Sequence, residues 1–413
     1  MKPFFIYGEF QVSYVKVPQV PEKKVIHSHL YSTHNQVQLI RGGAAFFNKM
    51  EQMIDEAQHS ILLQTYIYDS DETGRRIASA LVRASHRKVQ VYVLIDGFAS
   101  QWLSSKFMEE QNAAGVHFSY FKPFFKRPRF YLGRSMHHKI IVTDAGECMV
   151  AGVNISNRYN DLPGQPAWLD WAIHVKGETA KELQQYCIEI WNKSVFRSNC
   201  TISNEVDVAV DAHSQCAVRV RKNDWMTRKT EITKSYQEMF AKATEHITVM
   251  SSYFWPAHKL LKRIAKASQK GVKIQLILAG TADVPLAKNA ERYMYRWLFR
   301  HKIEIYEYQK NVLHGKIACY DDKWATIGSY NLNNISAYAS LELNLDVKDT
   351  EFATTVNAQL QQIIANDCVH VTEAAYVQHY NFLQRFVQFL CYKLVHFFFF
   401  LFTFNFKQKS SND

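Results

Sequence analysis

The chain is poor in the residues that build extended or stapled polypeptides. With 15 glycines and 9 prolines in 413 residues, collagen-like and Pro/Gly-rich disordered sequence are excluded, because both need several times more of each. The seven cysteines, at positions 148, 187, 200, 216, 319, 368 and 391, are odd in number, scattered and without a C-x-x-C pair. That excludes a disulfide framework, and buried thiols in a reducing compartment are expected. No H-E-x-x-H or comparable ligand spacing occurs, so neither metal nor cofactor is expected. The apolar run between Met1 and Glu9 is too short for a signal peptide, which argues against secretion.

What is present is an ordinary globular composition. At 413 residues, 47% of them hydrophobic, the chain has enough material for about two domains, each with its own core. The net charge of +11 suits a nucleic-acid binder, an enzyme at an anionic membrane, or one acting on phosphorylated substrates.

An internal repeat organises the chain. A strand-like run Ser60–Ile67, an amphipathic stretch around Ile77, Leu81 and Val82, and a second run Val89–Gly97 return in the same order. The second copy is His246–Tyr253, a helical stretch around Leu260, Leu261 and Ile264, and Gly271–Gly280. Helical spacing precedes each unit, through Phe47, Met50, Ile54 and Ala57 and through Tyr236, Phe240 and Ala243. Strands alternating with helices predict an α/β fold of two pseudo-twofold-related halves, each a mixed sheet flanked by helices. The expected divisions are an extension over 1–34, halves over 35–205 and 206–380, and a Phe-rich, membrane-associating tail over 381–413. The polar stretch 196–223 is expected to hold the boundary.

Each half continues into a second shared element. In the first it is Met136-His137-His138-Lys139-Ile140-Ile141-Val142-Thr143-Asp144, followed by Gly152-Val153-Asn154. In the second it is Leu313-His314-Gly315-Lys316-Ile317-Ala318-Cys319-Tyr320-Asp321, followed by Gly328-Ser329-Tyr330-Asn331. Both match H-x-K-x4-D. A lone match arises by chance in about one chain of this length in twenty, so the duplication carries the weight.

Alternation along a strand puts His137 with Lys139 and His314 with Lys316 on one face. Asp144 and Asp321 belong to the same catalytic motif but fall on the other parity, which gives them a structural role such as closing the following turn. A carboxylate that accepts an imidazole N–H fixes the tautomer. Asp170 and Glu342 are placed for that, with Glu342 expected on His314 and Asp170 on His137. Two histidines, two lysines, Asn154, Asn331 and Ser329 then make a site for one phosphodiester. One imidazole attacks phosphorus, the other protonates the leaving alkoxide, and the remaining donors hold the phosphate oxygens.

These residues resemble the phospholipase D superfamily over about residues 35–370, and within it the shorter bacterial cardiolipin synthases. Ala151 is a departure, standing where such enzymes carry the first glycine of a Gly-Gly pair. The resemblance implies transfer of a phosphatidyl group between two phosphatidylglycerol molecules through a phosphatidyl-histidine, with His137 as nucleophile and His314 as acid/base. It leaves open a hydrolase or head-group exchanger on other phospholipids, and a nuclease of the same superfamily.

Two segments favour a lipid over a nucleic acid. The stretch Tyr120–Tyr131 interleaves aromatic and basic residues, and Phe124, Phe125, Lys126, Arg127 and Arg129 are the expected docking residues for an anionic phospholipid bilayer. Such a pattern also suits single-stranded nucleic acid. The Phe386–Phe406 segment reads as interfacial or partly inserted, because Gln388, Lys393, His396 and Asn405 interrupt it. The expected location is the cytoplasmic face of a bacterial inner membrane. Oligomeric state is left open.

Overall fold

The computed structural model describes residues 30–121, 135–144, 146–195, 200, 202, 215–224, 227–281, 284–333, 336–337 and 340–408. The first sheet contains β1 (Asn35–Arg41), β2 (Ser60–Thr65), β3 (Gln90–Asp96), β4 (His117–Phe121), β6 (Lys139–Thr143), β7 (Glu147–Ala151) and β8 (Trp171–Gly177). A two-residue strand, β5 (Ser135–Met136), leaves this half to pair elsewhere. The second sheet contains β9 (Ala217–Asp224), β10 (Lys229–Thr230), β11 (His246–Ser251), β12 (Lys273–Ala279), β13 (Glu304–Tyr308), β14 (Lys316–Tyr320), β15 (Trp324–Gly328), β16 (Ser340–Lys348) and β17 (Cys368–Val371).

The strand orders are β1-β8-β7-β6-β2-β3-β4 and β9-β16-β15-β14-β11-β12-β13, the latter extended by β10 and β17. Position for position they match, so the repeat in the sequence is a repeat of topology. In each sheet the β2-β3-β4 or β11-β12-β13 strands are parallel and the rest antiparallel. The two-halved mixed α/β architecture is therefore the expected one.

Central strands are buried on both faces, which is why they read as continuous apolar runs instead of alternating ones. Helices α1 (Ala44–Glu56), α2 (Glu72–His86) and α3 (Ser105–Ala113) cover the outside of the first sheet, and α5 (Glu231–Lys242) and α6 (His258–Gln269) the outside of the second. Between the sheets lies one shared core. It joins Ile140, Val150 and Ile173 of the first half to Ile317, Ile327 and Leu343 of the second, with α4 (Glu178–Ser194) and the helix Thr350–Asp367 packed into it.

The end of the stretch expected as a polar boundary is a buried strand, β9. Its charges are interior partners: Arg219 donates to Asp346 at 2.8 Å and Arg221 to Ser235 at 2.8 Å. All seven cysteines are free thiols; five are buried, and Cys368 and Cys391 are partly exposed.

Helix α7 (Pro285–Arg300) follows β12, and the C-terminal helix Phe382–Gln408 lies along it. Among the described residues no helix is long and apolar enough to cross a membrane.

Candidate active site

The site forms where the two halves exchange short pieces of chain. Strand β5 pairs in parallel with β16 of the other half, Met136 opposite Leu341, and the next residues on each side are His137 and Glu342. Leu313 makes a parallel bridge to Leu169 of the first half, and the next residues are His314 and Asp170. Backbone bonds seal both crossings: His137 N–H donates to Leu341 O at 2.9 Å and His314 N–H to Leu169 O at 2.8 Å.

As a result the histidine–carboxylate pairs are the reverse of those expected. His137 Nδ1 lies 2.9 Å from Glu342 Oε2, and His314 Nδ1 lies 2.5 Å from Asp170 Oδ2. The expectation placed each carboxylate with the histidine of its own half, because parity along one strand says nothing about which strand crosses over. With Nδ1 committed to a carboxylate, Nε2 is the nitrogen left for chemistry in both rings.

Both carboxylates are buried, as are Lys139 and Lys316. Lys139 Nζ donates to His137 O at 2.6 Å and sits 5.1 Å from the Tyr66 ring centroid. Lys316 Nζ donates to His314 O and, at 3.3 Å, to Ser252 Oγ. Burial pushes the Lys139 ammonium down to about 7. It also pushes His314 down to about 4 and lowers His137. The lysine of the opposite half adds to the downward push on each histidine, which is the electrostatic sign of convergence.

The flanking polar residues have defined tasks. Ser329 Oγ donates to Glu342 Oε2 at 2.5 Å, so it braces the carboxylate behind His137. Asn154 accepts from Ile67 N–H at 3.2 Å and donates to Tyr159 OH at 2.9 Å; Tyr159 in turn packs edge-on against His314. Asn331 Oδ1 is buried with no hydrogen-bond partner among the described residues. Gly152 is required by contact, since a Cβ there would stand 2.2 Å from Asp170 Oδ1. Ala151 ends β7 opposite Lys139 with no need for a glycine backbone.

Asp144 and Asp321 face away, as their parity predicts, but they do more than close their own turns. Asp144 accepts the N–H groups of Gln58, His59 and Ser60, and Asp321 those of Thr244, Glu245 and His246. Each ties the start of β2 or β11 to the far end of the motif strand. His138 also points away, buried against Gln64 Oε1 at 2.8 Å.

Sequence reasoning missed Asp96. It is buried, accepts from Met136 N–H at 2.7 Å and so fixes the residue before His137; burial raises its carboxyl to about 6. It stands at the C-terminal end of a parallel strand, where α/β sheets place ligands, but no motif spacing ties it to His137. The expected docking residues Phe124, Phe125, Lys126, Arg127 and Arg129 lie outside the described residues.

Paired imidazoles, each oriented by a carboxylate and backed by an ammonium group, on twin mixed sheets, define a phosphodiester-transfer scaffold of the phospholipase D type. The family model described as "Cardiolipin synthase, PLD-like domain" matches residues 50–191 and 236–364, and the chain belongs to that family. It is 35% identical over 347 residues to cardiolipin synthase B of Salmonella typhi, covering 82% of this chain and 83% of the relative. To cardiolipin synthase B of Escherichia coli K12 it is 33% identical over 346 residues, with the same shares covered. The fold is that of the crystal structure of phosphatidylserine synthase of Haemophilus influenzae Rd KW20, with a TM-score of 0.68 at 15% identity over 90% of this chain and 96% of that one.

Proposed function

We propose that the chain is a cardiolipin synthase that joins two phosphatidylglycerol molecules and releases glycerol, working at the cytoplasmic face of a bacterial inner membrane. The observation that carries the reading is the exchange of carboxylates across the halves, which aims two buried imidazoles into one site. Nε2 of one histidine attacks phosphorus, the P–O bond to glycerol breaks, and the second imidazole, protonated, gives its proton to the departing oxygen. The phosphatidyl-histidine is then attacked by a hydroxyl of a second phosphatidylglycerol, whose proton returns to the second imidazole. The P–N bond breaks, and cardiolipin leaves with the enzyme restored.

By family order His137 is the nucleophile and His314 the acid/base. Lys139 and Lys316 supply the positive charge that the non-bridging oxygens need, in a site dry enough for that charge to count. Asn331, whose amide oxygen is buried with no hydrogen-bond partner among the described residues, is a further polar group proposed for the site. Burial disfavours the charged form of both rings, which suits attack by one, and an arriving phosphodiester anion supplies the field that protonates the second.

The test is purified protein with phosphatidylglycerol vesicles and a chelator, followed by lipid analysis. Cardiolipin with stoichiometric glycerol is expected. Phosphatidic acid alone would assign hydrolysis, and nucleotide release from DNA without lipid turnover would overturn the lipid reading. In a second experiment His314→Ala is expected to accumulate phosphatidyl label on His137; label absent there but present on His314 in a His137→Ala protein reverses the order.

A further inference from the structure

A helix that is apolar on every side belongs inside a protein or inside a lipid phase, and the C-terminal helix divides its sides between the two. One side is docked. Val395, Cys391 and Tyr392 pack with Ala287, Ala290 and Met294 of α7 and with Trp255, and Gln388 Oε1 accepts from Tyr376 OH at 2.6 Å. The opposite side is open: Leu383, Phe386, Val387, Leu390, Leu394, Phe397 and Phe398 are all exposed. At helical spacing these residues fall within a stripe about 120° wide, a continuous apolar ridge and not a scatter of single side chains.

The ridge leads to the active site. Tyr376 and Tyr380, just before the C-terminal helix, reach Arg292 of α7, Tyr293 packs at a tilt against Phe389 and Tyr392, and Val395 shares a cluster with Ala287 and Ala290, so the two helices run antiparallel. The Phe397 end therefore lies at the start of α7, where Val284 and Leu286 are also exposed. That start follows β12, whose Leu278 pairs with Ser251, and Ser251 pairs with Lys316 of the site. In the first half the equivalent loop follows β3 next to Met136, and it carries exposed Phe98 and the 87% exposed Trp102. Both halves thus raise apolar side chains beside the same mouth.

Charge identifies the occupant. Within α6, α7 and the C-terminal helix the only acidic residue is Glu291, buried against Lys288, while Lys259, Lys262, Lys266, Arg296, Arg300 and Lys393 are exposed. We infer that the outer stripe of the C-terminal helix, continued by Val284 and Leu286 and answered by Phe98 and Trp102, is the surface by which the enzyme lies on an anionic phospholipid bilayer with its mouth at the head-group level. The inference rests on the lipid reading above, since a phosphatidyl donor keeps its acyl chains in the bilayer while its phosphorus enters the site.

The full chain carrying Phe386→Gln, Leu390→Gln and Leu394→Gln tests it. All three positions are exposed and glutamine favours helix, so circular dichroism and melting temperature should match the parent. Co-sedimentation with mixed phosphatidylglycerol/phosphatidylcholine vesicles is expected to weaken by roughly tenfold or more. Turnover of long-chain lipid in those vesicles should fall with it, while turnover of monomeric dihexanoyl-phosphatidylglycerol persists. Vesicle binding equal to the parent overturns the inference, as does a parent dimer that the substitutions split without affecting vesicle binding. If vesicle binding falls but neither protein turns over the short-chain lipid, the docking surface stands and the reaction assignment fails.

Discussion

Each imidazole of the site offers Nε2 because a carboxylate from the opposite half holds Nδ1. Under the proposed mechanism Glu342→Gln and Asp170→Asn leave shape intact but lose the charge that fixes the tautomer. Both are expected to lower kcat by about 10²- to 10⁴-fold with little change in KM. An unchanged kcat in either would separate the carboxylates from the chemistry. His137→Ala and His314→Ala should abolish turnover, whereas His138→Ala should keep it and lose about 1–3 kcal/mol of stability through the orphaned Gln64 amide.

The pH profile follows from the buried charges. The Lys139 ammonium, pushed down to about 7, is present below that pH and lost above it, so kcat/KM for an anionic lipid should fall as pH rises through about 7. His137, the nucleophile, has to be neutral to attack, and since burial lowers its imidazole below the ordinary value, it should limit the acid side. A kcat/KM flat into the alkaline range would remove Lys139 from phosphate binding. Much of this site was legible: His137, Lys139, His314 and Lys316 stand at fixed spacing on strands whose alternation puts each pair on one face. Asp96 was not, because it acts through a backbone N–H forty residues away in sequence and leaves no spacing to read.

At the scale of elements, the motif strands are anchored at both ends. The histidine end is held by the crossing bridges, and the aspartate end by Asp144 and Asp321, whose backbones take the left-handed conformation with φ of 50° and 49°. Asp321→Ala removes the acceptor for three backbone N–H groups and leaves in the left-handed region a residue without the local hydrogen bonds that let aspartate adopt it. It should lower the melting temperature while the surviving folded enzyme keeps its KM, and a kcat loss without destabilisation would instead give Asp321 a part in the chemistry. The linkage has a definite sign. Backbone N–H donors hold the Asp321 carboxyl below its ordinary value, so its stabilisation is present above the unfolded value near 4 and lost as pH falls through the lower folded one.

Parallel strands buried on both faces announced themselves as apolar runs, and so did the repeat. The crossings did not, because β5 is two residues long and its partner lies 205 positions away. Strand β9 was missed for a related reason: Arg219 and Arg221 look solvated until Asp346 is placed between them.

The molecule as a whole is two copies of one plan around one interior. Because a single apolar core spans both sheets, thermal unfolding should be one cooperative transition with equal calorimetric and van't Hoff enthalpies. Two resolved transitions would mean that the halves are held together more weakly than their packing implies.

The crossed carboxylates also restrict how a substrate gets in. Many two-lobed enzymes admit large ligands by swinging the lobes apart, but here such a swing would lengthen both hydrogen bonds at once and disarm both rings. Lipid therefore has to arrive along the seam, head first, through a passage whose width is set by side chains and loops, with the two lobes fixed like the halves of a vice already closed.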